Sequence, residues 1–315
     1  MIPAEPNVIG AREDGNRAAA TGYDHSWFDW SPLPRRPEVN WPGGADVAVS
    51  IVLDLGAVEW EIGGPGLVPP PGGRGIGPYP DVPRMSHREF GHRVGVFRLL
   101  EMLTTRGAPV VAAVDVLTVE HYGKLLDRLH PCVREWVAAG ISASRPLTSQ
   151  MSEDEERHYI ATTLHQLEVG LGIRPVGWLG PERSESARTL GLLSEAGVMY
   201  VADLCNDELP YPMGSRAEGL WAFPLSWELS DVSTMFHRGL SAQVFAESIV
   251  ESVEVMCADG RDGSGRMLGL QLSPWLSGQA FRASGVEAVL DWLVHDRRVW
   301  LTTPQDIVSY LRDAK

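Results

Sequence analysis

The chain has 315 residues, 44% apolar and 22% charged, an ordinary globular composition with length enough for a sizeable core. Asp and Glu number 41 against 27 Lys and Arg, so the formal charge is -14; that field repels phosphate backbones and anionic lipid, and neither nucleic acid nor a membrane is expected as a partner. No apolar run approaches the ~20 residues of a membrane span, residues 1–24 carry no secretion signal, and Cys132, Cys205 and Cys257 fit neither a disulfide framework nor a zinc site, which together point to the cytoplasm.

Residues 1–24 read as a loose leader before one barrel domain over 25–315. Val47–Leu53 is a β-branched run that predicts a buried strand ending at Asp54. The 61–80 stretch, dense in Gly and Pro, can hold neither helix nor interior strand and predicts a long loop, either a lid or an arm for a partner subunit. Ser86 with Glu89 has the spacing of a capping box for a helix running to Gly107. Pro109–Val114 predicts a strand, Thr118–Leu129 a helix, Pro131–Ala139 a shorter helix and Ile141–Ser144 a brief strand. Ser152 with Glu155 caps a helix to about Gly172. Further on, strands are expected at Val176–Trp178, Met199–Ala202, Trp221–Leu225, Met267–Leu272 and Val299–Leu301. Helices are expected at Glu185–Ala196, Ser241–Ala258, from a Ser284–Glu287 box to Asp296, and from Pro304 to the end.

Strand and helix thus alternate about seven times, which favours a parallel (β/α) barrel over an open doubly wound sheet. Chemistry in such a barrel sits at the C-terminal strand ends. That rule selects Asp54, Asp115, the 142–149 segment, Trp178–Ser184, Asp203–Glu208, Ser226–Asp231, Gln271–Trp275 and Thr302.

In these segments the sequence resembles the NodB-type polysaccharide deacetylase superfamily, carbohydrate esterase family 4, and within it the cyclic-amide branch that includes the PuuE-type allantoinases. The resemblance is carried by Asp46–Leu53, Arg84–Ser86 with Gly91–Leu99, Met151–Arg157, Arg174–Trp178, Asp207–Tyr211 and Arg298–Trp300, and it runs from about Tyr23 to the last helix. It implies a distorted (β/α)₇ barrel of the NodB type, often assembled into homo-oligomers. The family's deacetylases carry an Asp pair after the first strand, and here Gly56 and Ala57 stand there. Arg145 and Ser149 replace the His pair that would complete a metal site, and Ser273 stands where the family's general-acid His is found. The family's middle Arg aligns with Glu182, beside Arg183. All nine histidines lie elsewhere, on helices, at helix ends or in loops, so no metal or other cofactor is expected.

What remains at the barrel mouth is acidic and aromatic. Carboxylates crowded in a dry pocket repel, and one of them then serves as acid and another as base. Asp54, Glu182 and Asp203 are the candidate catalytic residues; Arg145, Arg183, Trp227, Glu228, Asp231, Ser273 and Trp275 are candidates for binding substrate. The sequence thereby predicts a metal-independent enzyme acting on a small cyclic or amide-bearing metabolite. Its reaction is C–N bond hydrolysis or a repurposed cyclisation, elimination or isomerisation, the latter fitting secondary metabolism. The alternatives are a non-catalytic relative that keeps the barrel to bind a ligand or partner, and a true polysaccharide deacetylase.

Overall fold

Val47–Asp54 (β1) alternates apolar side chains on both faces and is buried almost throughout, as a strand inside a parallel sheet must be. In this computed structural model, which describes residues 25–60, 82–261 and 264–314, the sheet is arranged around β1. The expected leader (1–24) and the Gly/Pro loop (61–80) lie outside the described residues. One edge of β1 pairs along its length with Arg266–Leu272 (β8). Its other edge is divided: Val110–Val114 (β2) takes the C-terminal half and Val299–Leu301 (β9) the N-terminal half. Val133–Ala138 (β3), Gly177–Trp178 (β4), Tyr200–Val201 (β5) and Trp221–Ala222 (β7) continue in parallel from β2. Tyr211–Pro212 (β6) ends the path antiparallel to β7. A single parallel bridge, Leu225 to Gly269, brings the chain after β7 back to β8 and closes the curl. Among the described residues eight parallel strands and one short antiparallel strand thus form the curled sheet of the distorted (β/α) barrel that the sequence predicts.

The two-residue period of the strands sorts their side chains into two cores. On β1, Val47, Val49, Ile51 and Leu53 join the outer core, under helices that include Val96–Thr105 (α2), Glu153–Leu171 (α5), Ala242–Arg261 (α7) and Ala283–His295 (α9). Ala48 and Val52 point into the barrel, where Tyr200, Phe223, Met267 and two residues of Pro304–Asp313 (α10), Ile307 and Val308, fill it from below. The same parity turns Asp54 inward at the mouth, and on β8 it turns Gln271 and Ser273 inward, since Leu268, Leu270 and Leu272 belong outside. On β5, Val201 is outward, and so is the next residue of its parity, Asp203.

Local signals misplaced several elements. Pro131–Ala139 is not a helix: β3 runs through it, paired to β2 and β4. Glu135 made this stretch look solvent-facing; it is instead buried, accepting hydrogen bonds from Tyr200 Oη (2.5 Å) and the Gln305 backbone N–H (2.9 Å). Ile141–Ser144, expected as a strand, is a turn. The helix expected over Thr118–Leu129 is two, Val116–His121 (α3) and Gly123–Leu129 (α4), broken at Tyr122 (φ −114°, ψ 45°). Ser86 caps nothing. It lies inside Val82–Phe90 (α1), where its hydroxyl donates to the Pro83 carbonyl at 2.8 Å, and a π-helical turn, Gly91–Gly95, links α1 to α2. Ser284 likewise falls inside α9, and the helix expected from Glu185 starts at Thr189 (Thr189–Glu195, α6). The Ser152 box stands as expected, its hydroxyl accepting from the Glu155 N–H and the Glu155 carboxylate from the Ser152 N–H.

Barrel closure depends on the absence of a side chain at Gly269. A Cβ there would lie 2.5 Å from the Pro224 carbonyl oxygen, a backbone atom that cannot step aside. Gly269→Ala is expected to destabilise by about 1–3 kcal/mol, lowering the melting temperature by roughly 2–10 °C in a thermal melt. An unchanged melt would show that closure does not need this contact.

Candidate active site

The C-terminal strand ends surround a cavity of ≈ 160 Å³. Asp54 and Gly56 line it from β1, Arg88 from α1, Glu182 and Arg183 from the loop after β4, Trp227 and His237 from the segment after β7, and Gln271, Ser273 and Trp275 from the end of β8. The loop after β4 is the unusual element. Glu182 and Arg183 are consecutive non-glycine residues in the left-handed region, with φ 54° and 52°. Each such residue costs about 1–3 kcal/mol and persists only where its surroundings hold it.

The Arg183 side chain is one such hold. Its Nη1 donates to the Leu225 carbonyl (3.0 Å) and its Nη2 to Gln271 Oε1 (2.7 Å). With Oε1 so engaged, the amide nitrogen of Gln271 must face the other way, and it donates to Asp54 Oδ2 at 2.9 Å. Asp54 Oδ1 accepts from the Gly56 N–H at 3.0 Å. A chain of polar contacts therefore crosses the mouth from guanidinium through amide to carboxyl. Burial pulls the pKa of Arg183 down, and the nearby Asp203, Cys205 and Asp54 oppose that pull. Its guanidinium carbon also sits 5.5 Å from the centre of the Trp227 ring, while that of Arg88 sits 4.2 Å from the centre of Trp275, a cation–π contact.

Glu182 is placed differently. Its side chain opens into the cavity and makes no hydrogen bond among the described residues. It keeps contact with solvent at the open mouth, yet the surrounding walls partly desolvate it, which pushes its pKa up; Arg88 pulls against that shift and Asp54 adds to it.

The structure brings together Asp54, Glu182, Arg183, Trp227, Ser273 and Trp275 of the expected site residues. The others stand apart. Asp203, outward by strand parity, lies behind the loop and accepts from the Gly180 N–H at 2.7 Å. Asp231 is fully buried, accepting from the Ser273 N–H (2.7 Å) and the Ser277 hydroxyl (2.6 Å); it anchors the short helix Pro274–Ser277 (α8), and burial pushes its pKa up to about 7. Arg145 pairs with Glu59 at 2.7 Å on the rim, and Glu228 is exposed and pairs with Arg238. Asp115, another strand-end carboxyl, caps α3 through the Thr118 N–H and holds the Ala57 N–H, both at 2.7 Å. Asp207 pairs with Arg36.

Gln271 falls in a strand-end segment that the sequence selects but is not among the expected site residues, and the side chains of Arg88 and His237 on the cavity wall lie outside those segments. Gln271 could have been found by parity on its strand. Arg88 and His237 carry no such signal, because one lies on a helix and the other ends a π-helical turn.

These residues do not fit the metal that the fold's deacetylases carry. Among the described residues no three His, Cys, Asp or Glu side chains come together as a ligand set. Both neighbours of Asp54 are hydrogen-bond donors, with a guanidinium behind one of them, so a cation there would face positive charge.

No protein-family model matches the chain, and no curated protein matches it. Solved structures do. A protein assigned as a polysaccharide deacetylase from Mycobacterium smegmatis is 24% identical with a TM-score of 0.73, over 89% of this chain and 94% of its own. PuuE allantoinase is 21% identical with a TM-score of 0.77, over 88% of this chain and 94% of its own. A protein assigned as a polysaccharide deacetylase from Pseudomonas aeruginosa PAO1 is 21% identical with a TM-score of 0.77, over 89% and 95%. The chain has the fold of the NodB-type deacetylases and of this allantoinase.

Because burial raises the Asp231 pKa from 3.8 to about 7, the folded chain holds that proton more tightly than the unfolded one. The stability it contributes is fully present below pH ~4 and is lost as pH rises through about 7. Asp231→Asn keeps an acceptor oxygen for Ser273 and Ser277 and removes the titration. Denaturant melts are expected to show a shallower loss of stability across that window in the variant, and parallel profiles would contradict the assignment.

Proposed function

We propose that the chain is an enzyme that cleaves or rearranges a C–N bond of a small cyclic or amide-bearing metabolite by carboxyl acid–base chemistry. One observation carries this reading: Asp54 and Glu182 open onto the same cavity in contrasting environments. Two donors, one backed by Arg183, hold both oxygens of Asp54 as acceptors, the state of a general base. Partial desolvation raises the pKa of Glu182, the direction a general acid requires.

In the proposed reaction Asp54 takes a proton from the attacking water or from the ring itself, and Glu182 gives one to the departing nitrogen. The charge that develops on the carbonyl oxygen falls within reach of the guanidiniums that line the cavity, where a low-dielectric wall strengthens their effect. Trp275 and Trp227 offer flat surfaces to a planar ring. The small volume suits one such ring rather than a polymer, since drug-sized ligands occupy roughly 300–1,000 Å³. The allantoinase among the structural neighbours acts, by its name, on a small cyclic ureide, which supports the same substrate class. Three unpaired cysteines agree with action in the cytoplasm, and self-association into a homo-oligomer completes the reading. Among the described residues no helix is long and apolar enough to cross a membrane.

A panel of ureides, hydantoins and cyclic imides tests the proposal, with binding read by calorimetry and turnover by NMR. Wild type is expected to convert at least one of them. Asp54→Asn and Glu182→Gln should each lower turnover by about 10²–10⁴-fold while binding persists. Turnover should fall as pH rises through the elevated pKa of Glu182, because the acid then lacks its proton. Tight binding without any product from wild type would favour the non-catalytic, ligand-binding alternative.

A further inference from the structure

Behind the Glu182–Arg183 turn lie two acids that the proposed reaction does not use. Asp203, just past β5, and Glu185, two residues beyond Arg183, bring their carboxyl groups together, each with an oxygen buried and without a donor. Asp203 Oδ1 accepts from the Gly180 N–H at 2.7 Å. Its Oδ2 and Glu185 Oε1 are buried, and no N–H or hydroxyl reaches either among the described residues. Two ionised carboxylates cannot share a buried contact without strong repulsion, whereas one proton between them makes it a hydrogen bond. Asp203 therefore grips the loop at both ends, at the Gly180 backbone and at the Glu185 side chain. Between those grips stand the two left-handed residues.

We propose that Asp203 and Glu185 share one proton, and that this proton clamps the 180–185 segment in the strained form that presents Glu182 and Arg183 to the cavity, so that its loss in alkali releases the turn. The proposal makes Asp203 and Glu185 positioning residues, and it rests on the reading above only for the cavity's being the site.

The charges around the pair agree on where the proton sits. Arg183, on the segment itself, and the Gly180 N–H favour charge on Asp203. Glu156 of α5, hydrogen-bonded by Ser186 and paired with Arg188, adds negative potential at Glu185; Tyr211 of β6 faces Glu185, and Cys205 and Asp54 face Arg183. Burial drives Glu185 far above the ordinary carboxylate range, so Glu185 keeps the proton and Asp203 accepts it. The folded protein holds this proton more tightly than the unfolded chain does. The clamp is thus intact at acid and neutral pH and is lost as pH rises through the raised value of Glu185.

Hydrogen–deuterium exchange on the ligand-free protein reads the clamp without any turnover, so failure of the proposed reaction leaves it testable and the converse also holds. After correction for intrinsic rates, the 179–186 peptide of wild type is expected to lose protection by at least about tenfold between about pH 7 and pH 10, while α5 stays protected. Glu185→Gln, whose amide donates to Asp203 at every pH, should keep the peptide protected throughout. A wild-type peptide equally protected at both ends of the range overturns the proposal, and so does a Glu185→Gln peptide that follows wild type. If Glu185→Gln does not fold, the wild-type profile decides alone: loss confined to this peptide supports the clamp, and loss shared with α5 overturns it.

Discussion

A guanidinium held at the mouth of the barrel organises everything around it. Arg183 reaches that place only because two consecutive residues adopt left-handed backbone, and its own hydrogen bonds to Leu225 and Gln271 help hold that backbone there. The arrangement ties four strand ends together. The loop after β4 is joined to the end of β8 by Gln271, to the closing segment at Leu225, and through Gln271 to Asp54 on β1. Each member of the polar chain is hydrogen-bonded to the next, which favours a single conformation rather than an ensemble. Its direction is fixed too, since an arginine can only donate and the amide between must then present its nitrogen to Asp54.

The consequence for chemistry is a division of labour between two carboxyls that composition alone would treat alike. Asp54 receives donors on both oxygens, and Glu182, one residue from the arginine, receives none. A left-handed backbone at both positions turns neighbouring side chains to different surroundings, one into the hydrogen-bonded chain and one into the open cavity. Tryptophans 227 and 275 then bound the space from two sides, each with a guanidinium near its ring. The site is small, polar at its centre and aromatic at its walls.

Much of the barrel was legible because hydrophobic period is a local property. The run from Val47 to Leu53, the Ser152 capping box and the strand at Met267–Leu272 each announce themselves within a few residues. β3 was not legible, because the acid that makes it look like a surface helix is buried and accepts a hydrogen bond from a tyrosine 65 residues away. Asp54 and Glu182 follow from the rule that barrel chemistry gathers at strand ends. That rule does not separate an inward from an outward residue, which is why Asp203 and Asp231 entered beside them. Strand parity makes the distinction for Asp203 and would have recovered Gln271. Asp231 is settled only by the fold of the 226–240 segment, which carries no periodic signal of its own.

The account turns on whether a substrate-like ring seats between Asp54 and Glu182. A crystal structure of the protein with a hydantoin or cyclic imide bound measures this directly. The ring amide is expected between the two carboxyls, against Trp275, with the Arg183–Gln271–Asp54 chain intact. A ring seated outside this cavity, or a metal ion held there by three protein side chains, would contradict the account.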